Sequence, residues 1–368
     1  MNKRDIRVVL VVRPTRLERI LETQNTISQA KFYLNSLGGD FSDYEAEHNQ
    51  YFSSVEQVRQ SVGSIGKVQL LHRQYLTNFI FARDDIVVVI GQDGLVANTM
   101  KYLDGQPIIG VNPDPARWDG VLLPFKPKNA AGIVKETAAG KRKFREVSMA
   151  AARVQDGQEL LAVNDFFIGQ KTHVSARYII KFGGYREPQS SSGMIVSTGL
   201  GSTGWMKSII AGASRISESV IGHPYGAAQE SGHVAEEDDS VFEAARDRVV
   251  FSDDALERAV SAPTGAVSSK RRRLGKKNSY GPSELQNIMG KWESGDLLFA
   301  VREPFPSKNT GTNLIFGRIT PEFPLRVESL MGENGVIFSD GIEADFIRFN
   351  SGAEAEISLS EKKGYMVV

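Results

Sequence analysis

The apolar residues of this chain follow two different rhythms. Residues 6 to 12 form a nearly continuous β-branched run, the signature of a strand covered on both faces. A polar, amphipathic stretch over 16 to 37 predicts a helix, ended by Gly38-Gly39. Residues 68 to 71 predict a second strand, 86 to 90 the clearest strand of all, 95 to 103 the helix after it, and 107 to 111 another short strand. Strands alternating with helices through about residue 125 predict a parallel, doubly wound α/β sheet.

Beyond Glu159 the rhythm changes. Strand-like segments at 159–180, 193–197, 297–301, 313–319, 325–329 and 336–339 lack intervening helices, which predicts a β-rich, mostly antiparallel second domain. Residues 217–294 interrupt it with Ser, Gly, Ala and charge, including EEDD at 236–239 and KRRRLGKK at 270–277. Part of this insertion is helix-compatible, and much of the rest carries too little apolar surface to offset its ordering entropy. The expected division is 1–128, an α/β domain, then 129–344, the β-rich domain with a flexible 217–294, then 345–368, a C-terminal segment returning to the first domain.

Composition narrows the function classes. With 368 residues, 41% hydrophobic and 24% charged, the chain reads as an ordinary globular protein. Its 44 basic and 44 acidic residues balance, so no global charge steers it to nucleic acid or membrane, and the basic run at 270–277 reads as a solvated segment. Cysteine is absent, which removes disulfides, thiolate metal sites and a Cys nucleophile. The opening MNKRDIRVVLVVRPT reads as a core strand rather than a secretion signal, because Arg13 interrupts a short apolar run. No apolar stretch has the length to cross a bilayer, and a cytoplasmic location is expected.

Four short motifs can carry chemistry. In Gly91-Gln92-Asp93-Gly94, a buried strand stops and a helix begins. Such a loop offers backbone N–H groups and a helix N-terminus to an anion, at the strand end where α/β sheets bind ligands. A carboxylate there needs a purpose, either a Mg²⁺ ligand or a base for a substrate hydroxyl; a capped turn explains the same residues equally well. Asn164-Asp165 interrupts an apolar run, and its donors and acceptors suit an amide, a base edge or ribose hydroxyls, or simply a bulge. VSTGLGSTGW at 196–205 offers small residues, hydroxyls and an aromatic, as a nucleotide pocket or a plain Gly/Ser loop does. Asp340-Gly341 reads as a hairpin turn. Neither a G-x-x-x-x-G-K-[ST] loop nor a G-x-G-x-x-G fingerprint occurs, and His48, His72, His173, His223 and His233 lack metal-ligand spacing.

In this order the motifs resemble those of the NAD kinase family. Gly91–Gly94 is similar to its Gly-Gly-Asp-Gly loop, Asn164-Asp165 to its Asn-Glu/Asp pair, Leu200–Trp205 to its Thr-Gly-Ser-Thr-Ala-Tyr segment, and Asp340-Gly341 to its late Asp-Gly hairpin. VVRPTR near the start and PIIGVNPDPARWDGVLLPF at 107–125 resemble the mitochondrial-type branch. The resemblance implies transfer of a phosphoryl group from ATP or polyphosphate, with Mg²⁺ or Mn²⁺, to the adenosine-ribose 2′-hydroxyl of NAD. It implies Asp93 as the catalytic residue, with Gly91, Gln92 and Gly94 holding phosphates. Asn164, Asp165, Gly201, Ser202, Thr203 and Trp205 would bind the nucleotide, in a homodimer or homotetramer. Gln92, Leu95, Leu200 and Trp205 depart from the family pattern, as does the lack of a His over 301–310. A kinase of this fold acting on a nucleoside, sugar or lipid hydroxyl, or a weakly active NAD(P)-binding regulator, are the alternative readings.

Overall fold

The computed structural model describes residues 6–221 and 288–368. Most of the expected insertion, with both its charge runs, His223 and His233, lies outside the described residues. The chain divides into two compact units, Met1–Met149 with Ser360–Val368, and Ala150–Leu359.

The first unit begins with β1 (Arg7–Val12), α1 (Arg16–Gln24), α2 (Ile27–Ser36), α3 (Phe41–Gly63) and β2 (Lys67–His72). It continues with β3 (Asp85–Ile90), α4 (Asp93–Met100), β4 (Pro107–Val111) and α5 (Ala130–Ala138). Where one helix was expected over 16–37, two form. Thr15 caps α1 through a reciprocal box with Glu18, and the chain breaks at Asn25, whose φ is +60°, before Thr26 caps α2 through Gln29 N–H. The strands lie in the order β2–β1–β3–β4, all parallel, in the register Val9↔Gln69, Val9↔Val87 and Val87↔Ile108. Residues Tyr365 and Met366, near the chain end, add a further parallel neighbour beside Pro107 and Ile108. Val8, Leu10, Val88, Ile90 and Ile109 pack against Tyr51, Val58 and Val62 of α3 and Ile133 and Val134 of α5. Each fully buried aliphatic side chain there is worth roughly 1.5–3 kcal/mol.

The second unit is built from β5 (Phe144–Val154, from Ala150 onward), β6 (Glu159–Ala162), β7 (Asp165–Gln170), β8 (Ala176–Phe182), β9 (Tyr185–Ser191) and β10 (Met194–Ser197). Then come α6 (Trp205–Ile221), β11 (Leu297–Val301), β12 (Phe316–Ile319), β13 (Leu325–Ser329), β14 (Gly335–Ser339), β15 (Ile342–Arg348) and the first part of β16 (Glu354–Val367). One sheet runs β12–β11–β10–β7–β14–β15, entirely antiparallel. In the other, β8 pairs β9 and β13, β13 pairs the start of β16, and β5 pairs β6, again antiparallel. Phe166, Ile168, Phe299 and Ile337 of the first sheet meet Tyr178, Ile180, Val327 and Ile357 of the second in one core. Alternation sends Phe167, Ile195 and Leu298 to the opposite face, where Trp205 and Met206 of α6 cover them. Among the described residues, no helix is long and apolar enough to cross a membrane.

Candidate functional site

In the first unit, four successive buried side chains, Val87 to Ile90, carry β3 into the Gly91–Gly94 loop. Gln92 is the N-cap of α4, with φ −115° and ψ 162°. That is ordinary extended backbone, so glutamine in place of glycine imposes no strain here. Gly91 answers to packing: a Cβ there would meet Leu95 Cδ2 at 3.0 Å. Gly94, exposed in the first helical turn, has open space where its Cβ would stand. The Asp93 and Gly94 N–H groups are among those an α-helix leaves without an internal partner, whereas Leu95 N–H already donates to the Gln92 carbonyl at 2.9 Å.

Asp93 is the first residue of α4, and two backbone donors fix its carboxylate. Val121 N–H reaches Oδ2 at 3.1 Å and Leu122 N–H reaches Oδ1 at 2.8 Å. The NPDPARWDG segment shapes this strap. Asn112 accepts from Asp114 N–H at 3.0 Å and donates to the Trp118 carbonyl at 2.9 Å. Gly120, at φ +68°, takes the tight turn before Val121. Gly110 on β4 lets the strap lie against it, since a Cβ there would stand 1.8 Å from the Leu122 carbonyl oxygen. Two anchored lone pairs leave the carboxylate further acceptor positions, so Asp93 is both a structural tie and an oriented acceptor.

The strand ends around it are held by α3. The Tyr51 hydroxyl accepts from Arg13 N–H at 2.9 Å and donates to the Ile90 carbonyl at 3.0 Å, tying the end of β1 to the end of β3. Burial pushes the Tyr51 pKa up to about 12, so it remains a donor. Glu47 pairs with Arg13 at 3.0 Å and with Arg16, and Asp43 pairs with Arg16 and Arg117, each at 2.7 Å. Arg117 and Arg16 hold the Asp43 carboxyl down at about 2.

In the second unit, Val163 and Asn164 form the break between β6 and β7. Asp340 holds it: its Oδ1 accepts from the N–H groups of Val163 (3.1 Å), Asn164 (2.6 Å) and Asp165 (3.3 Å), and its own N–H donates to the Asp165 carbonyl at 2.9 Å. Asp340 and Gly341 both have positive φ, +53° and +68°, the geometry of a type I′ hairpin turn. On the other side, the Thr198 hydroxyl donates to the Val163 carbonyl at 2.6 Å and Thr198 N–H to the Asn164 carbonyl at 2.9 Å. Gly201 packs so closely that a Cβ would lie 2.2 Å from the Asn164 carbonyl oxygen.

This bracing leaves the Asn164 side-chain amide, half-buried, without a hydrogen bond among the described residues. Asp165, opposite Ser197 across the β7–β10 ladder, has an Oδ1 with no partner among the described residues. Burial pushes its pKa up to about 7, opposed by a Ser197 hydrogen bond and aided by the Asp340 charge. Ser202 is fully buried, its hydroxyl donating to the Gly199 carbonyl at 2.6 Å and accepting from Gly290 N–H at 3.0 Å. Thr203 is exposed. Trp205 stacks on Phe167 with centroids 6.0 Å apart, under the Arg302 guanidinium at 5.4 Å. The neighbours that local pattern did not reveal are Tyr51 and Glu47, while Asn112 and the Val121–Leu122 strap lie in the 107–125 stretch that the sequence singled out without a role.

No protein-family profile matches the chain. Rat mitochondrial NAD kinase 2 is 27% identical over 269 aligned positions, covering 59% of this chain and 63% of that protein. Human mitochondrial NAD kinase 2 is 26% identical, covering 59% and 61%. The match thus spans less than two thirds of the length of these relatives. An NAD kinase from Archaeoglobus fulgidus, solved in complex with ATP, shares the fold, with a TM-score of 0.51 and 14% identity over 99% of this chain and 94% of that one. The chain is therefore similar over part of its sequence to the mitochondrial NAD kinase 2 proteins, at 26–27% identity, and shares its fold with the archaeal NAD kinase.

Proposed function

We propose that the protein phosphorylates the adenosine-ribose 2′-hydroxyl of NAD(H), with ATP or polyphosphate as donor, to give NADP(H). The observation that carries this reading is Asp93, a carboxylate oriented by two backbone N–H groups at the start of α4, beside first-turn amides suited to phosphate. Phosphoryl transfer asks mainly for positioning and charge neutralisation. Asp93 orients the acceptor hydroxyl and takes its proton, while the Gly91–Gly94 backbone cradles the donor's phosphates. The open amide of Asn164 reads a base or carboxamide edge. Asp165, with a pKa of about 7, either accepts or donates near neutral pH. Gly201, Ser202 and Gly199 shape the nucleotide pocket by letting the backbone approach, and Thr203 and Trp205 lie at its rim.

Among the described residues, no three His, Asp or Glu side chains gather into a metal cluster. Mg²⁺ in such reactions is held by substrate phosphates and one or two carboxylates, so it belongs here to the ATP as substrate. Homo-oligomeric assembly and a cytoplasmic location are part of the same proposal. The test incubates the purified protein with NAD or NADH, ATP or polyphosphate and Mg²⁺, and measures NADP(H). Asp93→Asn should reduce turnover by at least about 100-fold, the usual contribution of a positioned base, with an unchanged circular dichroism spectrum. Absence of NADP(H) from every pair of substrates refutes the reading, and near-normal turnover of Asp93→Asn refutes the role of Asp93.

A further inference from the structure

Arg13, the residue after β1, is only 7% exposed. Its Nη2 donates to Glu47 at 3.0 Å and its Nη1 to the Pro14 carbonyl at 3.1 Å, yet its buried Nε has no partner among the described residues. An unpaired buried donor on a charged group is costly, and such groups call for a reason. The orphan lies against the loop: a Cβ built on Gly91 would be 3.7 Å from both Arg13 Cδ and Nε.

A second arginine stands nearby. Arg73 follows β2, is half-buried, and has no acceptor among the described residues. Burial, and then the charges of Arg19 and Arg13, lower its basicity, so the three guanidinium groups share one neighbourhood. Arg19 is exposed on α1. Because β2, β1 and β3 are adjacent and parallel, Arg73, Arg13 and the Gly91–Gly94 loop all follow carboxyl ends on one edge of the sheet. This is the edge at which open α/β sheets bind ligands, at the point where the strand order reverses. Glu47 is the carboxylate facing Arg13, and it is shared with Arg16.

We infer that Arg13 and Arg73, with Arg19 at the rim, neutralise the polyphosphate tail of the phosphoryl donor at the Gly91–Gly94 loop. This deepens the kinase reading and takes its ligand class from it. Guanidinium donors match phosphate oxygens in a way an ammonium does not. The orphan Nε would gain its missing acceptor, and Arg73 its first.

Arg73 is the informative position, because its removal breaks no hydrogen bond or ion pair among the described residues. Binding of inorganic tripolyphosphate and of Mg-ATP is measured by calorimetry for the wild type, Arg73→Ala, Arg73→Lys and, as control, Arg59→Ala, whose partner Glu56 lies elsewhere on α3. Arg73→Ala should weaken both ligands by about tenfold or more, the loss of one charge-assisted contact. Arg73→Lys should restore part of this and Arg59→Ala none of it. Where NADP(H) is formed, the KM for ATP should rise in Arg73→Ala and that for NAD should not. Tripolyphosphate affinity unchanged within about twofold in Arg73→Ala, or no binding of it by the wild type at millimolar concentration, overturns the inference. NADP(H) formation with an unaltered ATP KM likewise sinks it and leaves the kinase reading intact. Arg73-dependent tripolyphosphate binding without NADP(H) formation from any donor upholds the phosphate site and removes the kinase reading.

Discussion

Asp165→Asn isolates one buried carboxyl whose ionisation opposes folding. The unfolded chain ionises this group near 3.8, whereas the folded protein holds it at about 7. Between those values the folded state binds the extra proton, so stability falls as pH rises through the window. The contribution is fully present below about 4 and lost above about 7. At about 1.4 kcal/mol per unit, the whole shift corresponds to about 4 kcal/mol, of which the span from pH 5 to 7 carries about 2.5–3 kcal/mol. Asparagine occupies the same volume and cannot ionise. Urea unfolding of both proteins at pH 5, 6, 7 and 8 reads the effect directly. The wild-type stability minus the variant stability should drop by about 1.4 kcal/mol per pH unit up to 7 and then level off. Taking the difference cancels every other titrating group, and any constant cost of burying the amide. A difference that stays flat from pH 5 to 8 refutes the assignment of a raised pKa to Asp165.

Two further substitutions test the braces around the motifs. Gly110→Ala drives a Cβ into the Leu122 carbonyl, where only backbone can yield, and should destabilise the protein by about 3 kcal/mol in thermal melts; an unchanged melting temperature would show that the strap does not lie against β4. Asp340→Ala strips the acceptor from three consecutive N–H groups and should cost about 3 kcal/mol or more. Faster amide hydrogen exchange at Val163, Asn164 and Asp165 checks it, and undiminished protection there would refute the latch.

The parallel strands were legible because burial on both faces leaves unbroken β-branched runs, as in Val87 to Ile90. The antiparallel unit was legible in class, though β5, β9, β15 and β16 were not foreseen, and the expected 159–180 strand is three strands broken at Val163-Asn164 and at 171–175. The 23-residue helix α3 escaped notice because its inward face mixes Tyr51, Val58 and Val62 with Glu47 and Ser54, which blurs the helical period. Of the four motifs, Gly91–Gly94 and Asn164-Asp165 announced themselves by interrupting apolar runs. Their partners did not, because a backbone N–H has no sequence signature: Asp93 meets Val121 and Leu122 across 28 and 29 residues. Asp340-Gly341 is the hairpin turn its dipeptide suggested, but the reach of its carboxylate to Asn164 lies beyond any local pattern.

That reach has a temporal meaning. The bond from Asn164 N–H to Asp340 closes 176 residues of chain. Contacts so distant in sequence are paid for in loop entropy before they return anything, and they form slowly. On the ribosome, β6 and β7 emerge well before the turn that braces the segment joining them, at synthesis rates of about 5–20 residues per second. The Asn164-Asp165 break therefore acquires its shape only after β14 and β15 have been made, long after the motif itself has emerged.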